Sequence, residues 1–227
     1  MQHVLITGAN RGIGLALTQH YLKAGWQVIA TYRNAHDVAA LQALSCPQLA
    51  LMQADVSNDA DLDNLAQQLH GKGLDLIINN AGVYGPRNQA LGTIDRQTWR
   101  HVFEVNTISP LMLAQALADN LAQNQGTLAI ISSKVGSIDD NSGGEGYMYR
   151  SSKTAVNQVV KSLSIDLAPY NITVVALHPG WVRTDMGGPN GHIDVQESVA
   201  GLTRVIADLS AQQSGHFINY DGTEIAW

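Results

Sequence analysis

Thr7-Gly8-Ala9-Asn10-Arg11-Gly12-Ile13-Gly14 stands directly after the apolar run His3 to Thr7 and directly before a segment of helical period near residues 13 to 24. Strand, glycine turn and helix in immediate succession form the setting in which a pyrophosphate is bound. Gly8 lets the chain turn sharply, Gly12 lets backbone amides approach a phosphate, and Gly14 lets helix and strand pack closely. The amino end of the helix adds partial positive charge. Asn10, Arg11 and Ile13 complete the turn as candidate dinucleotide contacts. An ordinary tight turn is the competing reading, because a chain with 21 glycines shows some glycine spacing by accident.

Outward from this turn, short apolar runs alternate with helical segments to the end of the chain, without a linker or an internal repeat. The runs predict strands at His3 to Thr7, Gln27 to Thr31, Leu49 to Gln53, Leu74 to Asn79, Thr127 to Ser132, Ile172 to His178 and Gly215 to Asn219. Helices are expected near 13 to 24, 35 to 44, 59 to 70, 97 to 123, 150 to 168 and 195 to 208. Strict alternation implies parallel pairing with right-handed crossovers. The fold expected is therefore α/β: one Rossmann-type domain over residues 1 to 227, a doubly wound parallel sheet of about seven strands with helices on both faces. Ligands of such sheets bind beyond the carboxyl ends of the strands, so the residues just after each strand are the ones to search.

The chain has 227 residues, 13 Lys plus Arg against 19 Asp plus Glu, and a formal charge of −6. That length buries a core without disulfide or metal staples. An acidic balance with no basic cluster speaks against nucleic acid and against an anionic membrane surface. The single cysteine, Cys46, forms no internal disulfide, and the eight histidines lack the spacing of a zinc site, so no metal is expected. Nothing resembles a signal peptide or a membrane span, and a cytoplasmic location is the expectation. Charged residues are only 14% of the chain, which leaves little to cover its outside and hints at oligomerisation.

The spacing Gly-x-x-x-Gly-x-Gly differs from the usual dinucleotide fingerprint. Together with Asn79-Asn80-Ala81-Gly82, Ser133, Tyr149 with Lys153, and Pro179-Gly180 with Thr184, it resembles the short-chain dehydrogenase/reductase family, in the family's order and over nearly the whole chain. His178-Pro-Gly-Trp-Val-Arg-Thr-Asp-Met186, Asn219-Tyr-Asp-Gly-Thr223 and the terminal Trp227 resemble its carbonyl reductase and C-factor-like branch.

Tyr149 and Lys153 lie four apart in a helical segment, so they share one face a single turn apart. An adjacent ammonium favours phenolate and is expected to draw the phenol below its ordinary value near 10. Tyr149 then becomes a usable general acid or base, and Ser133 a donor to a carbonyl oxygen on which charge grows. A surface tyrosine beside a solvated lysine is the alternative. The resemblance assigns the polarising role to Ser133 rather than Ser132, as the second serine of Ser-Ser-x-x-Gly. It also likens Asn106 to the family asparagine that holds a relay water to the lysine; capping of backbone near Pro110 competes with that role. Tyr147, with Ser151 rather than a lysine four residues on, is expected in the substrate pocket or a loop.

No acid stands at the end of the second strand, Ile29-Ala30-Thr31-Tyr32-Arg33-Asn34, where NAD-preferring folds commonly place one. Arg33, with Arg11 from the other side, suits a 2′-phosphate, so NADP(H) is expected over NAD(H). Both arginines as solvated surface charges is the alternative. Asp55-Val56 resembles the adenine contact. Asn80, Ala81 and Gly82 let backbone approach the ribose, and Pro179, Gly180, Val182 and Thr184 resemble the segment that holds the nicotinamide carboxamide. Substrate contacts are expected from Ser133, Tyr147, Trp181 and the loops near 137 to 147 and 185 to 195.

The activity implied is NADPH-dependent reduction of a small carbonyl compound, an NADP(H)-binding regulatory protein of the C-factor type being the alternative. The segment 97 to 123 is apolar on more than one face, with Leu111, Met112, Leu113, Leu117 and Leu121. That pattern is expected to serve a homodimer or homotetramer, or else burial within the chain itself.

Overall fold

The computed structural model describes all 227 residues. Seven strands form one wholly parallel sheet: β1 (His3–Ile6), β2 (Gln27–Tyr32), β3 (Leu49–Gln53), β4 (Leu76–Asn79), β5 (Thr127–Ile131), β6 (Thr173–His178) and β7 (Phe217–Asn219). Their order is β3-β2-β1-β4-β5-β6-β7, so the winding reverses between β1 and β4. The carboxyl ends of those two strands, at Thr7 and Asn79, flank the crevice where such sheets take ligands.

Helices α1 (Gly12–Lys23), α2 (Ala39–Gln42), α3 (Asp59–Gln68), α4 (Arg96–Phe103), α5 (Ser109–Asn124), α6 (Tyr147–Asp166) and α7 (Val195–Asp208) complete the chain. Strand residues alternate between two hydrophobic layers. Leu5, Ile77, Leu128 and Val174 face α3, α5 and α6, while Val4, Ile78, Ala129 and Val175 face α1 and α7. Each fully buried Leu or Ile contributes roughly 1.5–3 kcal/mol, and both faces are covered as an all-parallel sheet requires. No helix is long and apolar enough to cross a membrane.

Three expectations are corrected. The helix expected at 35 to 44 is a 3-10 turn, Ala35–Asp37, followed by the single turn α2; only Val38 and Leu41 are buried there, with Leu44 partly so. The helix expected at 97 to 123 is α4 and α5 joined by a π turn, Glu104–Ile108. Pro110 carries no N–H to give the Asn106 carbonyl four residues back, and the ladder slips so that Ser109 N–H bonds Glu104 O. Helix α6 begins at Tyr147, not 150, so Tyr147 is its first residue rather than part of a loop.

On α5, Leu113, Leu117 and Leu121 are fully buried, with Leu111, Met112 and Ala118 packed against the same layer. Much of its apolar surface is thus covered within the chain, while Ile108 at its foot is 45% exposed.

Candidate active site

The glycine turn leaves β1 with Gly8 at φ +61°, where a Cβ would stand 2.9 Å from Ala81 Cα. At Gly14 a Cβ would lie 2.3 Å from the Gly8 carbonyl and 3.0 Å from Ala9 Cα, so helix and turn meet at a distance that only glycine allows. Asn80 fixes the turn from β4: its Nδ2 donates to the carbonyls of Thr7 and Gly8, both at 3.0 Å. The Thr7 hydroxyl in turn accepts from the amides of Asn80 and Ala81 at 3.1 and 3.0 Å. The Asn80 side chain is therefore structural, and only its backbone is left to face a ribose.

A cleft of about 990 Å3 runs from this turn across the carboxyl ends of the strands. At one end it is lined by Gly8, Asn10, Arg11, Gly12, Ile13, Gly14, Arg33, Asp55 and Val56, and further along by Asn80, Ala81, Gly82, Pro179, Gly180, Val182 and Thr184. A dinucleotide fits this lining. Around Gly12 the nearest atom to an added Cβ is Thr184 Cγ2 at 3.7 Å, which leaves the corner open beside the first amides of α1.

Arg33 is exposed on the rim, and its charge helps hold the Asp55 carboxyl down. Burial raises that carboxyl, but two hydrogen bonds from Ser57 and the charge of Arg33 outweigh it. Asp37, which the reading of β2 did not reach, shares the same rim. Arg11 pairs with Asp185 at 3.5 Å, both side chains largely exposed.

At the far end of the cleft, Ser133, Tyr149 and Lys153 line one wall. Ser132 is withdrawn from it, its hydroxyl donating to Asn157 Oδ1 at 2.5 Å. Helix α6 reaches this position by close approach to the turn after β5: a Cβ on Gly136 would lie 2.7 Å from Lys153 Cβ. Lys153 Nζ donates to Ile131 O at 2.8 Å and stands 5.7 Å from the centre of the Tyr149 ring.

The expected electrostatics are corrected here. Burial pushes the Tyr149 phenol up to about 12, Tyr84 adding in the same direction and the neighbouring Ser133 hydroxyl opposing. Lys153 is itself pushed down to about 8 by burial. Desolvation sets the direction for both groups, and the one hydrogen bond that the ammonium makes is to the Ile131 carbonyl. The consequence is a fully protonated phenol at neutral pH, the state that can donate.

Asn106 sits in the π turn, 1% exposed. Its Oδ1 accepts from Val83 N at 2.9 Å and its Nδ2 donates to Val83 O and Ser152 Oγ at 2.8 and 3.0 Å. Both amide protons are used, so the side chain pins the loop after β4. Tyr147 is not part of the cleft lining; it is 41% exposed at the outer start of α6. Trp181 lines the mouth with its indole N–H donating to Gly187 O at 2.9 Å and its ring edge-on to His192. Of the loop near 137 to 147, Asp140, Gly144, Glu145 and Gly146 line the cleft; of the second loop, Asp185, Met186, Gly187, His192 and Ile193 do.

Tyr84, Arg87, Gln89 and His178 also line the cleft, and sequence reasoning missed all four. Tyr84 and Arg87 follow β4 directly, so the search after strand ends, carried past Gly82, reaches them. The Tyr84 ring lies 4.7 Å from that of Tyr149, and Arg87 forks onto the carbonyls of Asp185 and Met186, each at 2.9 Å.

Fold and cleft together define an oxidoreductase that works with a nicotinamide dinucleotide. The chain belongs to the short-chain dehydrogenase family, whose model matches residues 2–194. It is 43% identical over 155 residues to the C-signal of Myxococcus xanthus, covering 68% of this chain and 93% of that one. The carbonyl reductase Sniffer of D. melanogaster superposes with a TM-score of 0.96 at 35% identity, over the full length of both chains. An NADPH-bound carbonyl reductase from chicken fatty liver gives 0.93 at 37% identity, over 100% of this chain and 99% of that one.

Proposed function

We propose that the protein is an NADPH-dependent carbonyl reductase that converts an aldehyde or ketone to its alcohol. The observation that carries this reading is the convergence of Ser133, Tyr149 and Lys153 on one wall of a cleft whose other end is the glycine turn. A nicotinamide dinucleotide, when bound, supplies the hydride. The amides of Gly12 and Ile13 with Asn10 would hold its pyrophosphate, Arg33 and Arg11 a 2′-phosphate, and Asp55 with Val56 the adenine. The backbone of Asn80, Ala81 and Gly82 would face the ribose, and Pro179, Gly180, Val182 and Thr184 the carboxamide.

Within that frame Tyr149 donates its phenolic proton to the carbonyl oxygen while Ser133 hydrogen-bonds the same oxygen, so charge is neutralised as it develops. Lys153 keeps a positive charge behind the phenol at pH values below about 8 and helps the phenolate form. With its side-chain amide committed to Val83 and Ser152, Asn106 would hold a relay water by its main-chain carbonyl, and that water would return a proton to the phenol by way of Lys153. Trp181 bounds the substrate end, while Tyr147 stands outside the cleft lining at the start of α6. The likeness to an NADPH-bound carbonyl reductase supports the cofactor choice. Assembly as a homodimer or homotetramer is proposed through the exposed apolar residues Trp99 and Ile108; sedimentation at micromolar concentration should give a dimeric or larger mass, and a monomer contradicts it.

The likeness to C-signal favours a second reading, an NADP(H)-binding regulatory protein with little turnover. NADPH oxidation with a panel of aldehydes, ketones and quinones separates the two. Turnover supports the reductase, whereas tight NADPH binding with silence across the panel supports the regulator.

A further inference from the structure

Four helices of this chain show how the orphan amides at a helix start are satisfied. In α3, α4 and α7 the residue before the helix caps it: Asn58, Asp95 and Asp194 each accept from the amide three residues on, those of Asp61, Thr98 and Glu197. Helix α6 has Gly146 in that position, with φ +62° and no side chain to offer. The corresponding amide three residues on belongs to Tyr149. Left alone it would be an unpaired donor beside the candidate proton donor, and unpaired buried amides are costly.

Gln89, sixty residues earlier in the chain, takes the place of the missing cap. Its Oε1 accepts from the Tyr149 amide at 3.0 Å. Its Nε2 donates to the carbonyls of Tyr84 and Pro86 at 2.9 and 3.0 Å, so both amide protons are used. Gln89 is 3% exposed. One side chain thereby fixes the backbones of both members of the Tyr84–Tyr149 ring pair, 4.7 Å apart. A hydrophobic residue could fill this volume but would make none of the three bonds.

We propose that Gln89 is a positioning residue that caps α6 at Tyr149 from a distant loop and so sets where the phenol points. This rests on the reading of Tyr149 as the proton donor. Gln89 lines the cleft but is 3% exposed, and the role assigned to it runs through the Tyr149 backbone rather than through the reacting atoms. Its effect passes through the first turn of α6, where a displacement of about 1 Å is enough to cost a catalyst up to about 100-fold.

Three variants, with NADPH and 4-nitrobenzaldehyde as probe, test it. Gln89→Met keeps the length and loses all three bonds; Gln89→Glu, held protonated by burial against the carbonyls of Tyr84 and Pro86, keeps the acceptor for the Tyr149 amide and one donor for those carbonyls. For Gln89→Met, hydrogen exchange at the Tyr149 amide should speed up by about tenfold or more and kcat should fall about 10- to 100-fold. The aldehyde KM and the NADPH Kd should stay within about threefold, because the uniform-binding contacts are untouched. Gln89→Glu should restore both the amide protection and most of kcat. Wild-type exchange or wild-type kcat in Gln89→Met overturns the proposal, as does an equal loss in the two variants or a matching loss of NADPH affinity. If Gln89→Met does not fold, Gln89→Glu decides alone: a protected amide with kcat near wild type supports the cap, and an exposed one overturns it. Tyr149→Phe keeps the two questions apart. Turnover surviving in Tyr149→Phe rejects the phenol as donor, whereas an inactive Tyr149→Phe beside an unaffected Gln89→Met rejects only the cap.

Discussion

The two ends of the cleft are built by different means. At the glycine turn the leading constraint is steric: Gly8, Gly12 and Gly14 lie within seven residues, added atoms at Gly8 or Gly14 would collide with backbone, and Asn80 and Thr7 bind the turn to the end of β4. At the tyrosine end the constraints are hydrogen bonds between segments far apart in the chain. Gln89 holds Tyr149, Asn106 holds Val83, and Arg87 holds the loop at Asp185 and Met186. The first end should therefore tolerate almost no added volume. Away from Gly136, where α6 meets the turn after β5, the second should tolerate volume but not the loss of a donor or acceptor.

The sharpest way to break that contrast is Gly14→Val, for which nothing flexible can move aside. It should fail to fold, or raise the NADPH Kd by more than about 100-fold, since overpacking alone costs about 1–3 kcal/mol and the pyrophosphate corner is displaced with it. A titration showing wild-type affinity would refute the steric account. Arg33→Asp should come next, raising the KM for NADPH about 10- to 100-fold while leaving that for NADH nearly unchanged. An equal effect on both cofactors removes Arg33 from the 2′-phosphate.

Titration sharpens the contrast at the tyrosine end. Lys153 loses its proton at about 8 in the folded chain instead of 10.5, so reduction should slow by up to about tenfold per pH unit above about 8. Stability should move the opposite way. Between 8 and 10.5 the unfolded chain binds more protons at this residue, so the cost of the buried ammonium disappears as pH rises. A flat rate from pH 7 to 10 contradicts the role of the charge.

His178, lowered from 6.5 to about 4 by burial and by Lys134, gives a smaller effect. The folded chain holds it neutral, so its contribution is full above 6.5 and is lost as pH falls toward 4. Urea midpoints measured across that window should fall, and less so in His178→Asn. The smallest change expected is Asp185→Asn. Its pair with Arg11 is exposed on both sides, and stability should shift by less than about 0.5 kcal/mol.

The same division governs what could be read from the sequence. All seven strands and their parallel pairing were legible, because alternation of apolar runs and helical periods is a local signal; their order in the sheet was not. The glycine turn and the Tyr149–Lys153 spacing were legible for the same reason, whereas Ser133 was singled out over Ser132 only by the family resemblance. The break at 104 to 108 was not, since Pro110 announces an interruption without saying that the ladder will slip into a π turn. Nor was the direction of the Tyr149 shift, which depends first on burial, or the carbonyl at the end of β5 that Lys153 finds. Gln89 carried no local mark at all. Its role arises only when the loop after β4 lies beside the start of α6, and its nearest clue is that the residue before that helix is Gly146, with no side chain to cap it.

The most direct test of the whole account is single-turnover reduction of 4-nitrobenzaldehyde by Tyr149→Phe preloaded with NADPH. The account predicts an unchanged NADPH Kd and a rate lowered by about 100- to 10,000-fold, the range that a positioned general acid supplies. A rate within a few-fold of wild type would show that the proton comes from somewhere else.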